Sequence, residues 1–335
     1  MQKLFEFLER TTVKILTTRK ARRLLAATTK PKRTFLGEVR GWADALVFAV
    51  FAVLLINQYL FQLFVIPSPS MVSTLNIGDR VFVSKTIYGV ELYPGGPKVA
   101  SANRQIARDQ IITFYNPEYT SRGPFFDILS QIIYMGTFSL VNIDRKEDGS
   151  VAERLYVKRA IGLPGETVRL VDGTVFIRPA GEREWIDEET FRSDLHLVSG
   201  PHRSVEDSTY AGIRAWGSLY GYQESGIDLQ SVPTYLKSDY ALVAQDNYPD
   251  DMYAFEESQW RTQSLYDPSN DRSRSAWASY ERGIYVPEDH ILPLGDNRDN
   301  SRDGRYFGPV SQKSINGSVR VRFWPLGRIA YLGNK

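Results

Sequence analysis

"FVIPSPSMVSTLNIGDRVFVSK", residues 64–85, is the stretch on which the reading turns. A hydroxyl-rich Pro-Ser-Pro-Ser turn closes a long apolar run. It opens onto DRVFVSK, whose alternation of polar and apolar residues predicts a half-buried β-strand. Upstream, Ala45 to Ile66 reads ALVFAVFAVLLINQYLFQLFVI, without a formal charge and with Asn57, Gln58 and Gln62 as its only strongly polar members. At about 1.5 Å rise per residue, such a helix spans the ~30 Å hydrocarbon core of a bilayer. A cleaved leader would have a shorter apolar core of ~7–15 residues and a small-residue cleavage site behind it. The expectation is a basic segment at 1–44 and a transmembrane anchor at 45–66.

Charge supports this division. The 335 residues carry 41 Lys and Arg against 39 Asp and Glu, but the first 40 hold 11 of the bases and 3 of the acids, a net +8, which leaves −6 for the rest. A basic leader before an apolar span places the N-terminus in the cytoplasm and everything after Ile66 outside, as a single-pass protein of the cytoplasmic membrane. Residues 1–30 have helical spacing (Leu4, Phe5, Leu8, Ile15, Leu16, Leu24, Leu25) and could lie on the inner leaflet. The leader therefore points to the phospholipid bilayer as partner and not to nucleic acid. The chain has no cysteine, which excludes disulfides, thiolate chemistry and Cys-ligated zinc. At 42% hydrophobic and 24% charged it has the composition of a folded protein.

Beyond the anchor, short strand-like runs lie between turn residues: DRVFVSK, QIITFYN, RLYVKRAIG, ETVRLV, GTVFIRP, HILPLG and SVRVRFWPL. Asn316-Gly317 before the last of these reads as a hairpin signal, or as an unused Asn-x-Ser sequon. FFDILSQIIYMGTFSLVNI, from Phe125, contains Asp127 and Gln131 and breaks at Gly136, so it reads as a packed helix or one resting on a membrane surface. Residues 171–285 are rich in Ser, Tyr and Asp with weak periodicity. The expected fold is mainly β: a transmembrane helix, then an antiparallel β-rich catalytic domain at 67–170 and 286–335, interrupted by a large inserted subdomain of β or irregular structure.

A serine that attacks a carbonyl needs a base. His196 and His202 fall in the weakly patterned insertion, and His290 precedes a Gly-Asp-Asn turn. A lysine can serve if burial lowers its pKa from ~10.4 toward neutrality. Lys158, flanked by Leu155, Val157, Ala160 and Ile161, is the candidate; on pattern alone a strand lysine is ordinarily a surface solubiliser.

"IPSPSMVSTLNIGDRV", "YVKRAIGLPGE" and "LGDNRDNSRDGRYFGPV", in that order behind an N-terminal span, resemble the conserved boxes of type I signal peptidase, a membrane-bound Ser-Lys serine endopeptidase. The resemblance covers roughly residues 64–90, 108–117, 155–168 and 286–310. It implies Ser70 as the acylated nucleophile and Lys158 as general base. Ser68, with the Ser70 backbone N–H, would form the oxyanion hole, and Ser301 would orient the lysine. Asp296 with Arg159, and Asp303 with Arg305, would be ion pairs holding the catalytic loops. Phe64, Ile66, Met71, Leu75, Val81, Tyr156 and Val157 would line small-residue pockets. It implies no metal or organic cofactor. It also implies cleavage of signal peptides from exported preproteins after small residues, beside the export machinery.

Some positions depart from the family pattern. Pro69 and Ser73 stand where Gly and Pro are usual, and in RDQIITF (108–114) Gln110 stands in place of the acid of RGDIVVF. DNSRDG from Asp299 has the start of a calcium loop, but Val310 occupies the position of its bidentate Glu. A self-cleaving repressor with a Ser-Lys core lacks a membrane anchor. A membrane-tethered binding module derived from a peptidase and now inactive is the alternative from another functional class.

Overall fold

A computed structural model of the chain describes residues 13–14, 17–18, 35–99, 105–137, 141–146, 148–197 and 201–333. The chain divides into two compact units, residues 1–53 and 54–335. The residue 1–30 helix of the sequence reading lies almost wholly outside the described residues.

Helix α1 spans Phe35–Tyr59. Within it, Gly37–Tyr59 has a mean hydropathy of 2.0, and among the described residues this is the one helix long and apolar enough to cross a membrane. Its 23 residues extend about 34 Å, a full bilayer core. The helix starts before Ala45 and stops short of Ile66. Phe61–Val65 is strand β1, paired residue for residue with β2 (Arg80–Ser84) from Phe61↔Ser84 to Val65↔Arg80. Hydropathy cannot tell the end of a membrane helix from an apolar strand that follows it, so the run merged the two.

The remaining strands are β3 (Val90–Glu91), β4 (Lys98–Val99), β5 (Ile111–Tyr115), β6 (Leu155–Gly162), β7 (Thr167–Val171), β8 (Thr174–Arg178) and β9 (Ile186–Asp187). They continue with β10 (Ile284–Tyr285), β11 (His290–Leu294), β12 (Val310–Ser311), β13 (Ile315–Trp324) and β14 (Ala330–Tyr331). Eight of them form one antiparallel sheet in the order β1-β2-β13-β5-β6-β11-β12, with β14 on β13. A second sheet has the order β10-β7-β8-β9, and β3 pairs with β4. One face of the main sheet packs Ile66, Met71, Leu75, Val81, Ile111, Val157 and Val319. Another core gathers Ile112, Phe114, Ala160, Ile291, Val310 and Ile315. Because β6 is covered on both faces, its last six residues are all buried, and no period-2 pattern marks it. Asn316-Gly317 is not a hairpin: both residues lie inside β13 beside a register shift, and a Cβ on Gly317 would come within 2.5 Å of Ser84 O. Glycine is there for close approach of two strands.

The "mainly β" expectation fails, since 39% of the structure is helix and 22% strand. The difference lies in two places. Helix α2, Pro124–Gly136, occupies the β5–β6 connection. The insertion begins with β8 and β9 and then turns helical: α3 (Glu188–Asp194), α4 (Tyr210–Glu224), α5 (Thr234–Tyr240), α6 (Met252–Tyr266) and α7 (Asp271–Arg282). Side chains of Asp187, Asp251 and Asn270 cap α3, α6 and α7 by accepting from backbone N–H groups in the first turn. The helical period is present but is not written in leucines. Helix α6 buries Phe255, Ser258 and Thr262 against α4, where a Cβ on Gly217 would lie 2.2 Å from Phe255 O. Small and polar residues permit that contact and hide the apolar stripe by which a helix is read. Helix α8 (Gly304–Phe307) follows the Gly-Asp-Asn segment.

Candidate active site

Ser70 lies in a single 3-10 turn, Pro69–Met71. Proline at the first position suits such a turn, because its missing N–H would have no partner there. The turn is pinned from beneath by Met71 and Leu75, both buried in the sheet core. From the other side, Asn297 N–H donates to Ser70 O at 3.1 Å and Asn297 Nδ2 to Pro69 O at 3.3 Å. Lys158, opposite Ile112 in the β5–β6 ladder, reaches Ser70 from β6. Its Nζ donates to Ser70 Oγ at 2.6 Å. Ser68 Oγ is 3.3 Å from Ser70 Oγ on the other side.

Burial pushes the Lys158 amine down to about 8; Asp303 and Glu153 oppose the shift and Arg305 adds to it. Lys85 is also pushed down to about 8 by burial, so a lowered pKa alone does not single out a base. Contact with the Ser70 hydroxyl distinguishes Lys158. The three histidines stand elsewhere: His196 and His202 are exposed, and His290 Nδ1 lies 2.8 Å from Glu288 O.

A cavity of about 180 Å³ opens beside Ser70 and Lys158. Phe64, Ile66, Met71, Tyr156 and Val157 line it, as do Ser68, Ser70 and Lys158. Leu75 and Val81 do not; they are fully buried in the core behind it. Pro67, Pro69, Glu153, Leu155, Asn300 and Arg302 complete the wall, and the sequence reading assigned none of them to it. Ser301 is buried, but its Oγ has no hydrogen-bond partner, so the contact with Lys158 implied by the resemblance is not made here.

Both expected ion pairs are present and buried. Arg159 grips Asp296 through Nε at 2.7 Å and Nη2 at 2.6 Å, and Thr74 Oγ1 donates to the same carboxylate at 2.5 Å. Arg305 Nε donates to Asp303 Oδ1 at 2.8 Å, and Gly295 N–H to Asp303 Oδ2 at 2.8 Å. Burial would raise both carboxyls, but the Arg159 and Arg305 guanidiniums outweigh it and hold them below their ordinary value. These pairs are the first part of a longer chain of charges. Asp109 bridges Arg159 at 3.1 Å to Arg192 of α3, and Glu188 of α3 accepts from Arg298 Nη2 at 2.6 Å. Arg298 is 1% exposed and also donates to Gly295 O. The carboxylate missing at Gln110 is thus present one residue earlier, where Asp109 has φ 67°, a conformation that favours Gly and that Asp tolerates. Gln110 instead bonds Tyr88 and Ser318. The inserted segment also holds the 296–299 loop directly: His202 N–H donates to Asp296 O at 2.6 Å, and Asp299 accepts from Ser204 and Val205 N–H. Asp299 and Asp303 of the calcium-like run are therefore engaged with backbone and guanidinium groups. Glu188 and Arg192 pair with each other at i,i+4 on α3 (3.8 Å), a local signal, but nothing local announces their other partners, Arg298 and Asp109, which are distant in sequence.

A family model described as "Signal peptidase, peptidase S26" matches residues 39–324. Signal peptidase I of Helicobacter pylori (strain ATCC 700392 / 26695) is 24% identical over 294 residues, covering 85% of this chain and 82% of that protein. Signal peptidase I of Pseudomonas fluorescens is 24% identical over 297 residues, covering 85% and 73%. The crystal structure of a signal peptidase I from Enterococcus faecalis V583 covers 65% of this chain and 98% of its own at 21% identity, with a TM-score of 0.24, too low to bear on the fold. The match of the family model over most of the chain, including the Ser70 turn, β6 and the 295–305 loop, establishes that the protein belongs to the signal peptidase family, peptidase S26.

Proposed function

We propose that the chain is a membrane-anchored serine endopeptidase that removes N-terminal signal peptides from exported preproteins, cutting after small residues. The observation that carries this reading is the 2.6 Å contact between Lys158 Nζ and Ser70 Oγ beside a cavity of about 180 Å³. When the amine is neutral it accepts the hydroxyl proton as Ser70 Oγ attacks the scissile carbonyl. The oxyanion that forms is stabilised by the Ser70 N–H and the Ser68 hydroxyl. Lys158 then returns the proton to the leaving amine, the C–N bond breaks, and an acyl-enzyme remains. Water, deprotonated by the same amine, adds to the ester and releases the signal peptide's carboxylate and Ser70. The small cavity, walled by Phe64, Ile66 and Tyr156, accounts for the restriction to small side chains. Residues 67–170 and 286–335 form the catalytic domain, and 171–285 the insertion. The +8 leader orients the chain with its N-terminus in the cytoplasm and the catalytic domain outside.

The test is a comparison of native protein and Ser70→Ala in detergent, with a preprotein as substrate and mass spectrometry of the products. Cleavage at one Ala-X-Ala site by the native protein alone, with a trappable acyl on Ser70, is expected. Binding of the preprotein without cleavage by either form would favour the inactive binding module.

A further inference from the structure

Helix α2 has its polarity turned inside out. Phe125, Ile128, Leu129 and Ile132 fall on one stripe at helical spacing. All four are exposed, Phe125 by 80% and Ile132 by 46%. The side chains turned inward are polar: Asp127 and Ser130 are 6% and 5% exposed. Arg154 Nη2 holds them, 3.0 Å from Asp127 Oδ1 and 3.2 Å from Ser130 Oγ, and Ser121 Oγ donates to Asp127 at 2.8 Å. Rotating the helix to bury its apolar stripe would leave the half-buried Arg154 guanidinium and the buried Asp127 carboxylate without each other, so the orientation is locked. Four large apolar side chains on one face of a short helix are favourable only where something apolar covers them.

The sheet register indicates what covers them. Phe61, the first residue of β1, pairs with Ser84, Ser84 with Ser318, Ser318 with Ile112, and Ile112 with Lys158, one row across the sheet. Leu60 precedes this row, and Lys85 N–H donates to Leu60 O there. Strands β5 and β6 extend from the row toward that same end, to Tyr115 and Leu155. Helix α2 lies in the connection between those two residues. It therefore departs from the end of the sheet at which the chain arrives from its membrane-crossing helix. Arg122, exposed just before α2, has its guanidinium 5.1 Å from the Phe126 ring, and Lys146 on the returning segment is also exposed. Cations beside an apolar stripe suit an anionic lipid interface.

We infer that α2 is an in-plane anchor that inserts Phe125, Ile128, Leu129 and Ile132 among the acyl chains of the phospholipid bilayer. The inference rests on α1 crossing the membrane and is independent of the proposed cleavage.

The chain has no cysteine, so Ile128→Cys and Ile132→Cys can each carry one environment-sensitive fluorophore. The full chain is reconstituted in phosphatidylethanolamine and phosphatidylglycerol vesicles with iodide on both sides. Ser238→Cys, exposed on α5, serves as reference. Labels at 128 and 132 should emit to the blue of the label at 238 and be quenched at least threefold more by lipids bearing a shallow nitroxide than by iodide, with the order reversed at 238. Water-like emission and iodide quenching at 128 equal to that at 238 would overturn the inference. So would a blue-shifted label blind to the lipid quencher: with energy transfer between labelled copies the stripe belongs to a second copy, and without it to a protein segment.

Discussion

The Lys158 ammonium lies 2.6 Å from the Ser70 hydroxyl, although 88 residues separate them. Burial has already brought its pKa to about 8. Proximity and pKa together define what the pair can do.

Cleavage should follow the neutral amine. We expect kcat/KM to rise with pH through an apparent pKa near 8 and to level off above it. Lys158→Arg keeps the charge but cannot release a proton, so it should be as inactive as Lys158→Ala. An active arginine variant, or a limb that vanishes with His290→Ala, would refute the lysine as base.

The same shift has a stability consequence. The unfolded amine titrates at 10.5 and the folded one at about 8, so between these values the unfolded chain holds a proton that the folded chain has released. Lys158 therefore destabilises the fold fully below pH 8, and stability rises with pH from there to about 10.5. Lys158→Met removes the penalty, on the order of 3 kcal/mol, and loses about 1 kcal/mol from the Ser70 hydrogen bond. A Tm about 3 °C above native at pH 7 is expected, with the advantage gone near pH 10.5. A lower Tm at pH 7 would show that the burial cost is relieved elsewhere.

On the proposed oxyanion role, in which the Ser68 hydroxyl meets the oxyanion only in the transition state, Ser68→Ala should lower kcat by about 10²–10³-fold with KM nearly unchanged. Steady-state kinetics on a preprotein decide it. A change confined to KM would assign Ser68 to substrate positioning.

Ser301→Ala separates a working hydroxyl from an idle one. The Oγ is buried without a partner, so its removal should leave Tm unchanged or raise it by a few degrees. If the hydroxyl turns to the lysine during the reaction, kcat should fall about tenfold. Unchanged kcat would remove Ser301 from the site.

Glu188 tests what the insertion contributes. Glu188→Ala leaves Arg298, which is 1% exposed, without its carboxylate partner, a loss of about 3–5 kcal/mol. Glu188→Gln keeps one hydrogen bond and should lose less. Because Arg298 also holds Gly295 O, both variants should depress kcat more than KM, in the order of their melting temperatures. A stable Glu188→Ala protein with native kcat would make the charge chain ornamental.

The sequence by itself supported a reading of what is written locally: an apolar span behind a basic leader, the main strand segments along the chain, and Ser70 and Lys158 as residues worth following, while Asp296 and Asp303 came from the family resemblance. Arg159 and Asp296 were expected to pair, and they do. Three things were decided only in three dimensions. The apolar run divides at Tyr59 because Phe61–Val65 has β2 to pair with, and hydropathy carries no information about a partner. The insertion is helical because α4 and α6 meet through Gly217, Ser258 and Thr262, residues whose small size allows the contact but whose polarity conceals the period. Asp109, Arg192, Glu188 and Arg298 form one buried chain of charges only after the turn before β5, α3 and the 295–303 loop converge, and the burial that lowers the pKa of Lys158 is likewise a product of the tertiary structure. Desolvation is a property of what surrounds a group, and most of what surrounds Lys158 comes from distant parts of the chain.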